Sequence, residues 1–235
     1  MTVEFGIIAA MQEECEALKA MMDAPAEHKI GNKLFLEGTV LGRNIVVLQC
    51  GIGKVNGAVG ATLMIEKFTP KYIINTGSAG GFAKDLQVGD IIVSEKIAYH
   101  DVDLTSFGYK IGQMAGEPVD FTADASLVET LQHVSPSDKS KKMRTGMIVS
   151  GDSFISEKGQ FDKIQSNFPA ADVIEMEAAA IAHTCHIFQT PFLAIRSVSD
   201  IVYEEGNQMD FQEFLPIAAK NSLDILSQIL QKHPK

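Results

Sequence analysis

Short apolar runs that end on acidic, hydroxyl or glycine residues recur along this chain of 235 residues. Three of these runs are 6–10, 72–75 and 192–198, which lead to Glu14, to a glycine-rich segment at 76–81 and to Asp200. Apolar runs of this length between turn residues predict buried strands. Ligands of open α/β sheets bind just beyond the carboxyl ends of the strands. The pattern therefore predicts an enzyme of small molecules with one pocket at these ends.

The remaining pattern alternates helical and strand segments and contains no internal repeat. Strands are predicted at 4–9, 72–75, 90–94, 143–149, from 173 and at 192–198, with a hairpin at 33–49; helices are predicted at 12–22, 54–67, 123–134, 178–188 and about 210–230. Residues 104–120 read as one long loop, of the kind that forms lids or interfaces. Hairpin and βα units together predict a central mixed sheet with helices packed against it.

Composition excludes several classes of function. The formal net charge of −10 argues against nucleic-acid binding, which needs a cationic surface. No apolar stretch approaches the roughly 20 residues of a membrane span, and the acidic start does not resemble a secretory signal. The widely spaced Cys15, Cys50 and Cys185 leave one thiol over in any disulfide scheme. We therefore expect reduced thiols, a cytoplasmic protein and no membrane partner.

Two glycine-rich segments could bring the backbone close to a ligand. Residues 51–54 read Gly-Ile-Gly-Lys but match neither nucleotide-loop template, because Leu48, Val55 and Asn56 stand where a P-loop or a dinucleotide fingerprint needs other residues. The start of a helix is the better interpretation there. The segment 76–81 follows a buried strand directly, so it predicts either a tight turn or a close approach to a sugar or an anion.

Acidic and histidine residues give candidates of unequal weight. Glu14 lies in the first turn of a predicted helix, where the helix dipole favours any acid. Glu175 and Glu177 share a face if the backbone there is extended, although an exposed pair is the common alternative. His183 and His186 share a helical face, but there is no second ligand cluster elsewhere in the sequence, so we expect no metal. No serine has a convincing histidine partner for a hydrolase triad.

Taken together, the segments resemble the bacterial 5′-methylthioadenosine/S-adenosylhomocysteine nucleosidases of the purine nucleoside phosphorylase superfamily. The resemblance rests on residues 6–8, Met11, 13–14, 51–55, 73–81, 88–91, 99–103, 149–155, 175–178 and 196–200. These pieces occur in the family's order and cover nearly the whole chain. No single piece is decisive, but the ordered set is specific.

The resemblance implies a single domain over residues 1–235, with a three-layer α/β/α fold around a mixed, barrel-like sheet. It implies hydrolysis of the adenine–ribose bond without metal or organic cofactor. In the catalytic pair, Glu14 would be the general base for water and Asp200 the acid that protonates adenine. The substrate-binding residues carried over are Met11, Ile52, Ser78, Gly80, Phe154, Ile155, Met176, Glu177, Arg196, Ser199 and Phe211, to which a homodimer would add Phe107 and Tyr109 of the other protomer.

Individual roles follow from the same resemblance. Glu177 would hold the ribose hydroxyls and Met176 would lie against the ribose. The backbone at Ile155 would meet the adenine edge while Phe154 stacks on the ring. Ser78, Gly80 and Arg196 would line the region of the water and the ribose.

Two alternatives stay open at the level of sequence. A nucleoside phosphorylase would use phosphate in place of water, and a non-catalytic adenosine-binding module would need the pocket without the acids. The sequence does not rank methylthioadenosine, S-adenosylhomocysteine, 5′-deoxyadenosine or a futalosine-type nucleoside as substrates.

Overall fold

A mixed sheet of ten strands with six α-helices around it is seen in a computed structural model, which describes residues 2–204 and 206–234. The strands are β1 (Phe5–Ala9), β2 (Asp23–Ile30), β3 (Lys33–Val40), β4 (Arg43–Gln49), β5 (Tyr72–Gly81), β6 (Ile91–Tyr99), β7 (Phe121–Thr122), β8 (Met143–Ser150), β9 (Ala171–Glu175) and β10 (Phe192–Ile201). The helices are α1 (Gln12–Lys19), α2 (Lys54–Phe68), α3 (Ala125–Thr130), α4 (Lys158–Asn167), α5 (Ala178–Phe188) and α6 (Asn207–Lys232).

Part of the sheet closes on itself. The strands β10, β6, β8, β9 and β5 pair in that order, and β5 pairs in turn with β10, so these five strands form a ring. The sheet continues from β5 through β1, β4, β3 and β2 as an open extension. Both parallel and antiparallel pairs occur in it. The mixed, barrel-like sheet that the resemblance implies is confirmed.

Alternation along the buried strands produces the three layers. In β1, Phe5 and Ile7 pack into a core that includes Leu226 of α6, whereas Ile8 packs into a core that includes Met64 of α2. Successive side chains of a strand point to opposite faces, so one short strand contributes to both cores. The helices α2 and α5 therefore cover one face of the sheet, while α1, α3 and α6 cover the other.

Two strands run further than the sequence pattern predicts. The glycine-rich segment 76–81 belongs to β5 rather than to a turn, and β10 continues to Ile201, so that Asp200 lies inside a strand. Close packing explains the glycines in β5, since a Cβ on Gly80 would come within 2.5 Å of Val202. The register between β5 and β10 shifts between Val198 and Asp200. Such a bulge re-aims the side chains beside it.

The structure differs most from the sequence prediction in elements that bury little surface. The strand β2 and the helix α4 were not predicted, and both are largely exposed, so neither carries a hydrophobic period. The helix predicted at 123–134 is shorter, because α3 ends at Thr130 and a 3₁₀ turn follows at Leu131–His133. The loop 104–120 is confirmed, with one 3₁₀ turn at Thr105–Phe107.

The long helix α6 is anchored at its C-terminal end by Arg43 of β4. The Arg43 guanidinium is buried, pairs with Glu4 and donates to the backbone oxygens of Leu230 (2.9 Å) and His233. A buried arginine thereby satisfies carbonyls that a helix end leaves unpaired. Within the described residues, no helix is both long and apolar enough to cross a membrane.

Candidate active site

A cavity of about 590 Å³ lies where the carboxyl ends of β1, β5, β9 and β10 meet. Thirteen of the fifteen residues predicted for the site line it: Met11, Glu14, Ile52, Ser78, Gly80, Phe154, Ile155, Met176, Glu177, Arg196, Ser199, Asp200 and Phe211. The other two, Phe107 and Tyr109, do not line it, and the Phe107 side chain is 80% exposed. Their predicted place in a partner's pocket stays a prediction.

Glu14 is held rigidly in the cavity by backbone donors. Its carboxylate accepts from the N–H groups of Ala10 (3.1 Å) and Met11 (3.2 Å), which precede α1, and from that of Ser78 (3.1 Å) in β5. A Cβ on Gly77 would lie 2.8 Å from Glu14 Oε1, so only glycine leaves room for this approach. The contacts fix the direction of the carboxyl group without any charged partner in hydrogen-bond contact.

Burial raises the pKa of Glu14 above its usual value of 4.5, against the opposing charge of Arg196 and the three backbone donors. A carboxylate with a raised pKa binds a proton more readily. Because proton transfer is most efficient when the pKa of the group lies near the working pH, Glu14 suits the role of a general base.

Glu175 and Arg196 form a buried ion pair in the wall of the cavity. Arg196 Nη2 lies 2.6 Å from Glu175 Oε2, and both side chains are almost entirely buried. The same carboxylate accepts from the N–H groups of Glu177 (3.0 Å) and Ala178 (2.9 Å), and from the Ser150 hydroxyl. Glu175 therefore caps the start of α5 and holds the arginine. The alternative of an exposed Glu175–Glu177 pair is wrong.

Asn75 completes the environment of the Arg196 guanidinium. Its side-chain oxygen accepts from Arg196 Nη2, and its own amide donates to Ile8 O at 2.9 Å. The guanidinium thus connects β10 to β5 and, through Asn75, to β1. Neither Asn75 nor Ser150 was expected in this role, because an isolated Asn or Ser in an apolar run carries no distinguishing sequence signal.

Glu177 lies at the turn between β9 and α5 and lines the cavity. Its Oε1 accepts from the Gly53 N–H at 2.7 Å, at the residue that precedes α2. The preceding loop is fixed by Lys33, whose ammonium donates to Cys50 O and to Asn56 Oδ1 (2.7 Å). The segment 51–54 is therefore a helix start, as predicted, and one of its N–H groups binds a residue of the site.

Burial, followed by the neighbouring charge of Glu175, raises the pKa of Glu177 above its usual value of 4.5. The Gly53 N–H and the charge of Arg196 act in the opposite direction but do not cancel the effect. Two carboxyl groups of different environment thus stand two residues apart. The Glu175 carboxylate is engaged by Arg196, by the Ser150 hydroxyl and by the first N–H groups of α5. Glu177, in contrast, lines the cavity.

Asp200 is 1% exposed and receives hydrogen bonds at both oxygens. The Ser199 hydroxyl donates to Oδ1 at 2.8 Å, and the amide of Asn207 donates to Oδ2 at 3.1 Å. The same Asn207 nitrogen donates to Ile155 O at 2.9 Å. Sequence reasoning missed Asn207, because it lies seven residues further along the chain, where a turn leads into α6.

The rest of the cavity wall is apolar. Phe154 and Phe211 meet edge to face, with ring centroids 5.8 Å apart, and Met11, Ile52 and Met176 line the same space. A pocket with an apolar wall and a few fixed polar groups is typical of small-molecule sites. It suits a ligand with one polar and one apolar end.

The paired histidines of α5 have local partners. His183 Nδ1 lies 3.2 Å from the Tyr99 hydroxyl, and Glu117 lies 3.5 Å from its other ring nitrogen. In the part of the chain that the structure describes, no group of three or more His, Cys, Asp or Glu residues is arranged to hold a metal ion.

Residues 4–231 match the family model of the phosphorylase superfamily. The chain is 44% identical over 228 residues to the 5′-methylthioadenosine/S-adenosylhomocysteine nucleosidase of Actinobacillus succinogenes, covering 97% of this chain and 98% of the relative. The nucleosidase of Colwellia psychrerythraea 34H, solved in complex with adenine, superposes with a TM-score of 0.96 at 38% identity, covering 99% of this chain and 96% of that one.

A further solved structure is similar over nearly the same length. The nucleosidase of Neisseria meningitidis in complex with methylthio-immucillin-A has a TM-score of 0.94 at 39% identity, covering 98% of this chain and 99% of that one.

We expect Glu177→Gln to stabilise the fold at alkaline pH. A carboxyl group whose pKa is raised by folding holds its proton more tightly in the folded chain, so the parent loses stability as the pH rises from 4.5 through the raised pKa. The uncharged side-chain amide of the variant avoids this loss, and its oxygen can still accept the hydrogen bond from the Gly53 N–H. The gain should be about 1.4 kcal/mol per unit of raised pKa.

Urea denaturation of parent and variant at about pH 9 and about pH 4 measures the effect, which should be absent at the lower pH. Glu66→Gln on the exposed side of α2 controls for removing one surface acid. Equal stabilities of the Glu177→Gln variant and the parent at the higher pH would contradict the assignment.

Proposed function

The chain belongs to the phosphorylase superfamily and, within it, to the 5′-methylthioadenosine/S-adenosylhomocysteine nucleosidases, and from that premise we propose how its residues act. The enzyme hydrolyses the N-glycosidic bond of these two nucleosides and releases adenine and the 5-substituted ribose. The observation that carries the mechanism is the placement of Glu14 and Asp200 in one cavity, each fixed by its own donors.

Asp200 acts at the leaving group. Cleavage of the bond between ribose and adenine moves an electron pair onto the base, and a proton from Asp200 to N7 neutralises it. The ribose meanwhile gains oxocarbenium-like positive charge. Burial of Asp200 excludes bulk water from the proton, and the Ser199 hydroxyl, which can both donate and accept, accommodates either protonation state.

Glu14 acts at the nucleophile. It accepts a proton from the attacking water, whose oxygen forms the new bond to the ribose carbon from which adenine departs. Its carboxylate is also placed to favour the positive charge of the transition state. Because its backbone contacts are already formed, little reorganisation is needed at the moment of reaction.

The ribose and the adenine contact the remaining residues of the cavity wall. Glu177, fixed by Gly53, accepts hydrogen bonds from the ribose hydroxyls, and Met176 lies against the sugar. The backbone at Ile155 meets the adenine edge, where Phe154 covers the ring.

Gly80 and Ser78 leave space for the sugar and the water. The apolar wall that includes Met11, Ile52 and Phe211 takes the 5′ substituent, which extends the proposal to 5′-deoxyadenosine.

The phosphorylase alternative is disfavoured by charge. A phosphate dianion in the place of the water would stand against Glu14, a carboxylate. Among the described residues that line the cavity, Arg196 carries the guanidinium, and its charge is already paired with Glu175. Water, which needs a base and no cation, fits this arrangement.

A second protomer would complete the site. We propose a homodimer in which Phe107 and Tyr109 close the 5′ end of the partner's cavity. Phe107 is 80% exposed, and Val55 and Val59, four residues apart on α2, are 74% and 45% exposed. Exposed apolar side chains at helical spacing support an interface.

The cellular setting is also a proposal. We propose one nucleosidase domain over residues 1–235 that works in the cytoplasm without metal or organic cofactor. The three cysteines are buried free thiols, which is typical of a reducing compartment. The acid–base pair supplies the chemistry without a cofactor.

Water as the acceptor is tested by the sugar product. We expect adenine release from methylthioadenosine at the same rate with and without phosphate, and a free 5-methylthioribose by mass spectrometry. In ¹⁸O-labelled water the sugar should gain one labelled oxygen. A 5-methylthioribose 1-phosphate product would contradict the assignment.

Asp200→Asn should lower turnover by roughly 10²–10⁴-fold, because the amide has no proton that it can transfer. Adenine binding, measured by calorimetry, should change far less. Glu14→Gln should show a loss of similar size, since both groups act in the same step. A folded Asp200→Asn protein with parental turnover would favour a different acid. An unsubstituted protein that binds methylthioadenosine without turnover would favour the binding-module alternative.

Phe107→Ser should raise KM for methylthioadenosine and weaken the dimer, because the substrate's 5′ group would lose an apolar wall worth about 0.8 kcal/mol per buried methylene. Leu34→Ser, which removes an exposed apolar side chain from β3, is the control. Sedimentation and steady-state kinetics measure the two effects. An unchanged KM in a dimer would exclude Phe107 from the pocket.

A further inference from the structure

Asn207 is the first residue of α6 and one of its most buried side chains, at 2% exposure. Its amide nitrogen lies 3.1 Å from Asp200 Oδ2 and 2.9 Å from Ile155 O. A backbone carbonyl only accepts hydrogen bonds, so the atom that faces Ile155 must be the NH₂ group. The two hydrogens of one NH₂ group thus join the acid on β10 to the backbone that follows β8.

A second residue of α6 strengthens this connection. Phe211 lies four residues after Asn207, on the same face of the helix, and its ring meets that of Phe154. The first turn of α6 therefore holds the segment 154–155 by one hydrogen bond and one ring contact. The same turn holds Asp200.

The amide also acts on the charge state of Asp200. A hydrogen bond donated to a carboxylate oxygen favours the charged form over the protonated one. The other ionisable groups on the cavity wall are Glu14 from α1, Glu175 and Glu177 at the turn between β9 and α5, and Arg196 of β10. From α6, Asn207 adds a hydrogen bond at Oδ2. On the turn that leads to α6, Tyr203 packs against Phe161 and Glu204 is exposed.

We infer that Asn207 is a positioning residue that orients the Asp200 carboxyl group and sets the pH range in which it gives up its proton. The inference rests on the proposed role of Asp200 as the acid. Through Ile155, the same amide ties the acid to the backbone that would meet the adenine edge. The Asn207 side chain thereby fixes the distance between Asp200 and the Ile155 backbone, the two groups that would contact adenine.

The test is the pH profile of kcat/KM for adenine release from methylthioadenosine. Without the amide, the protonated form of Asp200 persists to higher pH, so the alkaline limb should move up by about one pH unit in Asn207→Leu. Turnover at the optimum should fall about tenfold, because the acid is less well oriented. Asn207→Ala removes the amide without adding an apolar group and serves if the leucine variant does not fold.

Asn221→Leu is the matched control. Asn221 also lies on α6 and donates its amide to a backbone carbonyl, that of Gly89 at 3.1 Å, but it does not line the cavity. Its loss should lower the thermal midpoint and leave the pH profile unchanged. An unshifted limb in folded Asn207→Leu and Asn207→Ala would overturn the inference.

The same assay separates this inference from the proposed function. If the parent releases no adenine, or if Asp200→Asn keeps the parental alkaline limb, the mechanism itself is wrong. If the parent and Asp200→Asn behave as expected and only the Asn207 variants show no shift, the failure concerns Asn207 alone.

Discussion

The buried contact between Arg196 and Glu175 is the constraint on which the site depends. It places a carboxylate and a guanidinium 2.6 Å apart in the interior, where removing either one would leave the other as an unpaired buried charge. Glu175 also caps α5 and accepts from Ser150 of β8. Asn75 of β5 links the Arg196 guanidinium to β1. Glu14 and Glu177, which have no such direct partner, are then free to take a proton or a ligand.

Much of the fold could be predicted from the sequence, because the central strands are buried on both faces and bounded by turn residues. The hairpin at 33–49 and the helix α5 are examples in which the pattern and the structure agree. The strand β2 could not be predicted, since it lies at the edge of the sheet, contains Pro25 and buries little. The extension of β5 through 76–81 was hidden because glycines that permit close strand packing look the same as glycines of a turn.

The lining residues of the site and their roles were predicted through the resemblance, whereas the contacts that distinguish Glu175 from Glu177 needed the structure. Glu175 and Glu177 are the same residue type two positions apart. One ends a strand and the other precedes a helix, and that single difference sends their carboxylates to Arg196 and to Gly53. Asn207 shows a different limit. Its partners lie 7 and 52 residues away, and no local period connects them.

The charges on the cavity wall have a consequence for other molecules of the cell. Among the described lining residues are four carboxyl groups and the guanidinium of Arg196, already neutralised by one of them. AMP, ADP and ATP carry the same adenine and ribose, but each ends in a phosphate that would enter an acidic space with an apolar far wall. Repulsion and lost hydration would both oppose its entry. The charge of the cavity wall would thus protect the nucleotide pool from an enzyme that separates adenine from ribose.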